Sequence, residues 1–467
     1  MTTSPTSAAT SRGKGQDGPF HLRPESRGHI GSVVAISLVI GLIAALLLAA
    51  APFISPEEDD VTGAVLCGFG LSWASLAVLS GRFTDQPQRW AAAPAVFMGV
   101  GGLLLIGFGT TVREVLNWVW PPALLALVIW MIVRARRQLS SRSTGWLLYP
   151  VFAVLLLAAV GGGYETVREA VDANAYPMAG RLIDVGGHRL HLQCTGSGSP
   201  TVVLQPGGGD FSSVMGWIAP AVARDTRVCV YDRAGRGWSE PADGPQDATK
   251  IATDLHTLLQ RGDVPGPYVL AGHSFGGLYV LTYADRYPDE VAGLVLVDST
   301  NPAKVANPGK AMAYDGGSYD AMGRLSALGA ASARVGLVRM VGLVGASSYR
   351  SLPPQADDEV LAATATAAYA SGWIDEFVQA NASGQEAALL TDFGDKPLVV
   401  LTAGAETDAT HDAAQAKLAA LSTNSSHRTI TGAKHVSLIM EKEYAGATTQ
   451  AVLDVVSSVR NAGQEIR

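Results

Sequence analysis

Tyr268-Val269-Leu270-Ala271-Gly272-His273-Ser274-Phe275-Gly276-Gly277 is the stretch on which the reading of this 467-residue chain turns. A short apolar run leads into a serine with a glycine two positions away on either side, and an amphipathic stretch, Leu278 to Tyr287, follows. A Gly-x-Ser-x-Gly pattern between an apolar strand and a helix predicts a sharp turn that holds the serine hydroxyl exposed. Ser274 is therefore the candidate nucleophile. The N–H of Phe275, at the expected start of the helix, is a candidate donor to a developing oxyanion.

Upstream, Gln205-Pro206-Gly207-Gly208-Gly209-Asp210 follows the apolar run Thr201 to Leu204. Glycines there let the backbone bring a second N–H beside the serine; Gly208 is the expected donor, with Gly209 next. The phosphate-cradling pattern Gly-x4-Gly-Lys-Ser/Thr is absent. A serine attacks an acyl carbon efficiently only when a base accepts its proton. His435, far downstream in Gly432-Ala433-Lys434-His435-Val436, fits that role, with His411 and His427 as competitors and His273 as a packing residue of the turn. An acid must then orient the imidazole. Asp298 ends the run Val291 to Val297, whereas Glu406 and Asp408 follow Leu398 to Thr402, so Asp298 is the first choice and Asp408 and Glu406 the alternatives.

These motifs sit in a regular alternation. Arg181–Val185 and His188–Cys194 flank Gly186-Gly187 as a hairpin. Thr201–Gln205, Arg227–Tyr231, Pro267–Ala271, Val291–Val297 and Leu398–Thr402 read as strands covered on both faces, with His427–Thr431 as a last one. Helical stretches at Asp247–Gln260, Leu278–Tyr287 and Tyr444–Arg460 intervene, so the expected fold class is an open α/β sheet with right-handed crossovers. The Ala-rich interval 300–395 breaks the rhythm and reads as an inserted helical lid.

The first part of the chain has a different character. Apolar runs at Gly31–Phe53, Val61–Ser80, Ala91–Gly109, Trp118–Val133 and Trp146–Gly163 predict an all-α transmembrane domain of five spans, residues 30–163. Trp118, Trp120 and Trp146 are expected at the membrane interfaces. Basic residues fall on alternate connections: Arg12, Lys14, Arg23 and Arg27 before the first span, Arg82 and Arg89 after the second, Arg134, Arg136, Arg137 and Arg142 after the fourth. The first connection instead carries Glu57, Glu58, Asp59 and Asp60. The expected topology is a cell-membrane protein with a cytoplasmic N-terminus and everything after Gly163 outside. The rival reading of the first run is a cleaved secretory signal, against which its long tail and long apolar stretch both count. Residues 1–29, rich in Ser, Thr, Gly and Pro, read as a disordered tail, and 164–179 as a linker whose Glu165, Arg168 and Glu169 continue a helix.

Charge excludes one class of partner. Of 34 basic and 41 acidic residues, 12 and 11 lie in residues 1–179, which leaves 22 and 30 for the remainder, a net −8. Such a surface does not suit a phosphate backbone, so no nucleic acid is expected. The spans lack the intramembrane ionisable groups of a transport path. Neither a His-Glu-x-x-His pattern nor a Cys/His cluster of zinc spacing occurs, so no metal is expected.

Residues 180–467 resemble the α/β-hydrolase superfamily, through the Gln205–Asp210 loop, the Gly272–Gly277 turn, the His435 region, and Tyr231-Asp232-Arg233-Ala234-Gly235 with Trp238-Ser239-Glu240. The last two look like the Asp-Arg-Ala-Gly segment of capped serine hydrolases. The resemblance implies a hydrolase sheet with a helical cap at 300–395, no cofactor, and a triad completed by Asp298 or Asp408. A serine in the turn argues against dehalogenases and epoxide hydrolases, whose resembling members carry Asp there. Two positions depart from the pattern: Pro206 stands where many members have His, and the acids after Leu398–Thr402 are out of register. Asp232, Arg233 and Arg236 are expected to form an ion-paired, turn-stabilising network. Cys194 and Cys229 fall on strands that are neighbours in this family's order, but free buried thiols are the expected state. The implied activity is cleavage of a small-molecule or lipid-like acyl ester beside membrane lipids. Peptidase or thioesterase chemistry, or a non-catalytic membrane sensor or scaffold, are the alternatives.

Overall fold

The computed structural model describes residues 30–138, 142–242, 244–302, 316–345, 351–405 and 407–461. The expected disordered tail, residues 1–29, and Glu406 lie outside the described residues.

Among the described residues, four helices are long and apolar enough to cross a membrane. They are α1 (Ile30–Ala49), α2 (Glu58–Phe83), α3 (Ala92–Gln138) and α4 (Arg142–Ala175). Five separate spans were expected; the third and fourth apolar runs both lie in α3. That helix is broken at Gly109, whose φ of 54° and ψ of −135° are open to glycine and costly for other residues. Phe97 and Trp120 would stand ~35 Å apart on a straight helix. Their rings instead stack at 4.1 Å, so the two limbs of α3 turn back on one another at Gly109. Trp120, expected at an interface, thus packs inside the bundle. Small residues let the helices approach: a Cβ on Gly68 would overlap Ala45, and Ser72 Oγ donates to Ser37 O at 2.9 Å. The last helix does not stop where its apolar run ends but continues to Ala175.

The rest is built on an eight-stranded sheet of order β1-β2-β4-β3-β5-β6-β7-β8. The strands are β1 (Arg181–Asp184), β2 (Arg189–Thr195), β3 (Thr201–Gln205), β4 (Val228–Tyr231), β5 (Tyr268–His273), β6 (Val291–Val297), β7 (Leu398–Ala403) and β8 (Ser425–Ile430). The hairpin β1–β2 joins β4 antiparallel; from β4 to β8 every neighbour is parallel. Period two along the strands divides the core. Leu270, Leu294 and Leu296 face α5 (Ala248–Arg261) and α6 (Phe275–Arg286). Val269, Val295 and Val399 face the opposite layer, which includes α13 (Lys442–Arg460). Residue Asp247 caps α5, its side chain accepting from Lys250 N–H at 2.8 Å.

Strand register corrects one expectation. Cys194 and Cys229 are direct partners across the antiparallel β2–β4 pair and form a disulfide, not two free thiols. Spacing in the sequence carries no information about which residues of two distant strands stand opposite.

Between β6 and β7 the described residues include five helices: α7 (Gly316–Arg334), α8 (Leu337–Gly345), α9 (Pro354–Thr364), α10 (Ala367–Val378) and α11 (Ala380–Ala387). This insertion is fastened to the apolar bundle by arginines. Arg334 pairs with Glu58, which also meets Arg113 at 3.2 Å, and Arg113 reaches Asp59 at 2.9 Å. Arg339 holds Glu165 at 2.8 Å and Asp172 at 3.2 Å. Arg324 donates to the backbone carbonyls of Ala49, Ala51 and Ile54 at 2.5, 3.2 and 2.7 Å.

Candidate active site

The turn after β5 is held from all sides. Ser274 has a φ of 54° and ψ of −123°, a conformation costing about 1–3 kcal/mol for a non-glycine residue. Its N–H donates to Val297 O at 3.1 Å, and its carbonyl accepts from Gly277 and Thr300 N–H at 3.0 Å each. The motif glycines have a steric reason. A Cβ on Gly272 would overlap Gly276 O, and one on Gly276 would overlap Gln205 O, so α6 can start this close to β3 and β5 only with glycine at both places.

Two sequence candidates, His435 and Asp298, meet beside this turn. His435, in the loop after β8, places Nδ1 2.6 Å from Asp298 Oδ2. Its carbonyl accepts from His273 Nε2 at 3.0 Å, and the two imidazole centres are 4.6 Å apart, which brings His435 against the residue adjoining Ser274. Burial and the nearby His435 hold His273 down at about 3, so its ring is neutral. Asp298, 5% exposed, sits at the C-terminal end of β6 with a φ of 43°. Burial alone would raise its pKa. Hydrogen bonds from His435, Ala403 N–H at 3.0 Å and His411 at 2.8 Å outweigh that and hold it at about 2.

The alternative candidates make other contacts. Asp408 caps α12 (Ala409–Ala419), its carboxylate accepting from His411 N–H at 2.8 Å. His427 Nε2 lies 2.8 Å from Thr402 Oγ1 on the β7–β8 pair. His411 Nε2 lies 2.8 Å from Asp298 Oδ1, a second imidazole on the aspartate that His435 contacts.

The loop after β3 packs directly on this turn. A Cβ on Gly207 would lie 3.1 Å from Ser274 Cβ, and one on Gly208 3.0 Å from the Phe275 ring. Gly209 N–H is taken by Glu376 Oε2 at 2.6 Å. Glu376, on α10, also accepts from Arg233 Nε at 2.6 Å and pairs with Arg236 Nη2 at 3.2 Å, all three side chains being buried. Burial pushes the Glu376 carboxyl up, but the two guanidinium groups prevail and hold it at about 2. Arg233 in turn donates to Pro206 O, Gly207 O and Asp210 O at 3.0, 2.7 and 3.1 Å. The expected network of Asp232, Arg233 and Arg236 is thus divided. Asp232 contacts His191 at 2.8 Å and accepts from Ser212 and Trp238 N–H, while the arginines turn to the insertion. Desolvation and Glu376 push Asp210 up to about 6 against the pull of Arg233 and Arg236.

Trp373 and Phe377 of α10 face the same loop. Trp373 would touch a Cβ on Gly209, and Phe377 packs on Phe275 with ring centres 5.2 Å apart. Sequence reasoning missed Glu376 and the second contact of His411. The one local signal for Glu376 is an acidic pair, Asp375-Glu376, between Trp373 and Phe377 on a largely apolar helix. Among the described residues no His, Cys, Asp and Glu cluster could hold a metal ion.

Residues 200–441 match the family model described as alpha/beta hydrolase fold. The chain is similar to an uncharacterized protein of Schizosaccharomyces pombe, 33% identical over 150 residues that cover 26% of this chain and 28% of that protein. It is also similar to a 2-hydroxymuconate semialdehyde hydrolase of Pseudomonas, 32% identical over 126 residues covering 26% of this chain and 44% of that one. The chain spans less than half the length of the curated relatives it matches. Among solved structures, an enol-lactonase from Burkholderia xenovorans is 20% identical with a TM-score of 0.44, over 59% of this chain and 100% of that one.

Proposed function

The chain belongs to the alpha/beta hydrolase fold family, and from that premise we propose that it is a membrane-anchored serine hydrolase cleaving an ester through an acyl-serine intermediate. The observation that carries this reading is the 2.6 Å contact between His435 Nδ1 and Asp298 Oδ2 beside the strained Ser274. In this reading Asp298 fixes the imidazole tautomer, and His435 takes the Ser274 proton as Oγ bonds to the acyl carbon. The carbonyl electron pair moves to oxygen, where the N–H groups of Phe275 and Gly208 stabilise it; Gly209 is committed to Glu376. Collapse breaks the bond to the leaving alcohol, which departs with the proton from His435. Water, deprotonated by the same ring, then bonds to the acyl carbon; the bond to Ser274 Oγ breaks, Oγ takes the proton back from His435, and the acid leaves.

The aromatic wall of Phe275, Trp373 and Phe377 favours an ester with an apolar acyl or alkyl part. Residues 30–163 act as the anchor and 180–467 as the hydrolase unit, with 300–395 as its cap. The fold-back of α3 supports five crossings, which would carry an N-terminus on the cytoplasmic side to a catalytic half outside. The Cys194–Cys229 disulfide fits an oxidising compartment.

The test is a fluorophosphonate probe on the full chain in detergent. Stoichiometric labelling of the parent, abolished in Ser274→Ala and strongly slowed in His435→Ala, is expected. A parent that takes no label and turns over no ester of any chain length overturns the reading.

A further inference from the structure

The insertion meets the apolar bundle at a depth that can be read from one contact. A Cβ on Gly161 would overlap Val335 O, so the turn between α7 and α8 rests directly on α4. Gly161 lies within the apolar run Trp146–Gly163, not beyond it. The first turn of α8 therefore begins at the height of lipid-facing α4 residues: Leu157, Val160 and Tyr164 are 70%, 56% and 54% exposed.

The faces of α8 are sorted accordingly. Arg339 turns inward to Glu165 and Asp172, and Val338 packs on the cluster of Ala330, Ala333 and Ala367. Leu337, Met340 and Val341 occupy positions i, i+3 and i+4, one stripe of the helix. They face outward, at 46%, 61% and 66% exposed. Arg339, the one cation of α8, is neutralised on the inner side, and the described outward stripe of α8 and the exposed α4 residues Leu157, Val160 and Tyr164 are all uncharged.

We propose that α8 is an interfacial membrane helix: its Leu337, Met340 and Val341 face is immersed in the outer boundary of the bilayer that α4 crosses. The occupant of this face is lipid. A helix of this kind lies in the interface plane with its apolar side among the upper acyl carbons, and here the Gly161–Val335 contact fixes it at that depth. The insertion then roofs the candidate site from within the lipid boundary, so an apolar ester in the outer leaflet meets α8 before it meets water. This inference rests on the reading of α1–α4 as membrane spans, and it is independent of the serine chemistry.

The experiment uses the full chain with Cys67→Ala, reconstituted in phosphatidylcholine vesicles containing phosphatidylglycerol. A nitroxide is attached in turn at Met340→Cys, at Val160→Cys as a lipid reference and at Lys417→Cys, an exposed position on the hydrolase half, as a water reference. Collision with molecular oxygen and with a water-soluble nickel chelate is measured at each. At position 340 the oxygen-to-nickel ratio is expected to be several-fold above that at 417 and to resemble that at 160. A ratio at 340 equal to that at 417 overturns the proposal, leaving the anchor intact. Low accessibility to both reagents at 340 also overturns it, because a second protein surface then covers the stripe. If 160 itself is as wet as 417, the membrane reading falls and this proposal with it. Fluorophosphonate labelling of the same samples reports the serine chemistry separately.

Discussion

The Gly209 amide donates a 2.6 Å hydrogen bond to the carboxylate of Glu376, a residue 167 positions further along the chain. Through that bond the insertion holds the loop that carries the proposed oxyanion donor, and Arg233 grips the same loop by three of its carbonyls. Glu376→Ala would leave two buried guanidinium groups without their carboxylate, a loss of about 3–5 kcal/mol, measurable as a lower unfolding midpoint. Glu376→Gln keeps the shape and one acceptor. It is expected to lower kcat by about tenfold or more with little change in KM, since oxyanion donors act mainly in the transition state. Wild-type kcat in Glu376→Gln removes Glu376 from the positioning of this loop.

The two aspartates proposed from the sequence differ in what their loss should do. Asp298→Asn removes the negative charge and leaves one acceptor oxygen for the His435 and His411 rings, and is expected to cut kcat/KM by roughly 10³–10⁴. Asp408→Ala removes a helix cap, costs about 1 kcal/mol of stability, and should leave ester turnover unchanged. Steady-state kinetics of both variants decide the matter, and the reverse pattern would exchange their roles.

Acid sensitivity follows from the same carboxylate. Asp298 is held at about 2, below its ordinary 3.8, so the folded state binds this proton more weakly than the unfolded state. Its contribution is complete above the unfolded value and is lost as pH falls through the folded one, a difference of about 2 kcal/mol. The stability deficit of Asp298→Asn relative to the parent should therefore shrink between roughly pH 5 and pH 2 in denaturant titrations. A deficit independent of pH over that range would contradict the assignment.

The disulfide closes a separation of 35 residues, for which chain-entropy arguments give a stabilisation of about 3–4 kcal/mol. Reducing agent, or Cys194→Ala with Cys229→Ala, should lower the unfolding midpoint of the sheet half by the corresponding amount. A parent whose midpoint does not respond to reductant would mean the bond is not formed in the purified protein.

What could be read in the sequence was local or periodic. The turn at Ser274, the alternating strands and Asp298 at a strand end each announce themselves within a few residues, because backbone conformation and period-two burial are short-range properties. Facts of tertiary register were hidden. Cys194 opposite Cys229 depends on how β2 slides along β4. Glu376 is an unremarkable acid until α10 is laid over the loop after β3. The fold-back in α3 was half legible: two apolar runs give the positions of the limbs but not their continuity as one helix broken at Gly109. The second imidazole on Asp298 comes from α12, whose placement no spacing rule encodes.

Arg324 closes the carbonyls of Ala49, Ala51 and Ile54 from a helix at least 270 residues later in the chain. At about 5–20 residues per second, a ribosome delivers those acceptors roughly 15 to 50 seconds before their donor. Throughout that interval the three carbonyls are without the Arg324 guanidinium. The connection between α1 and α2 is therefore made well before it is finished, and its completion waits on the folding of the insertion that brings Arg324 to it.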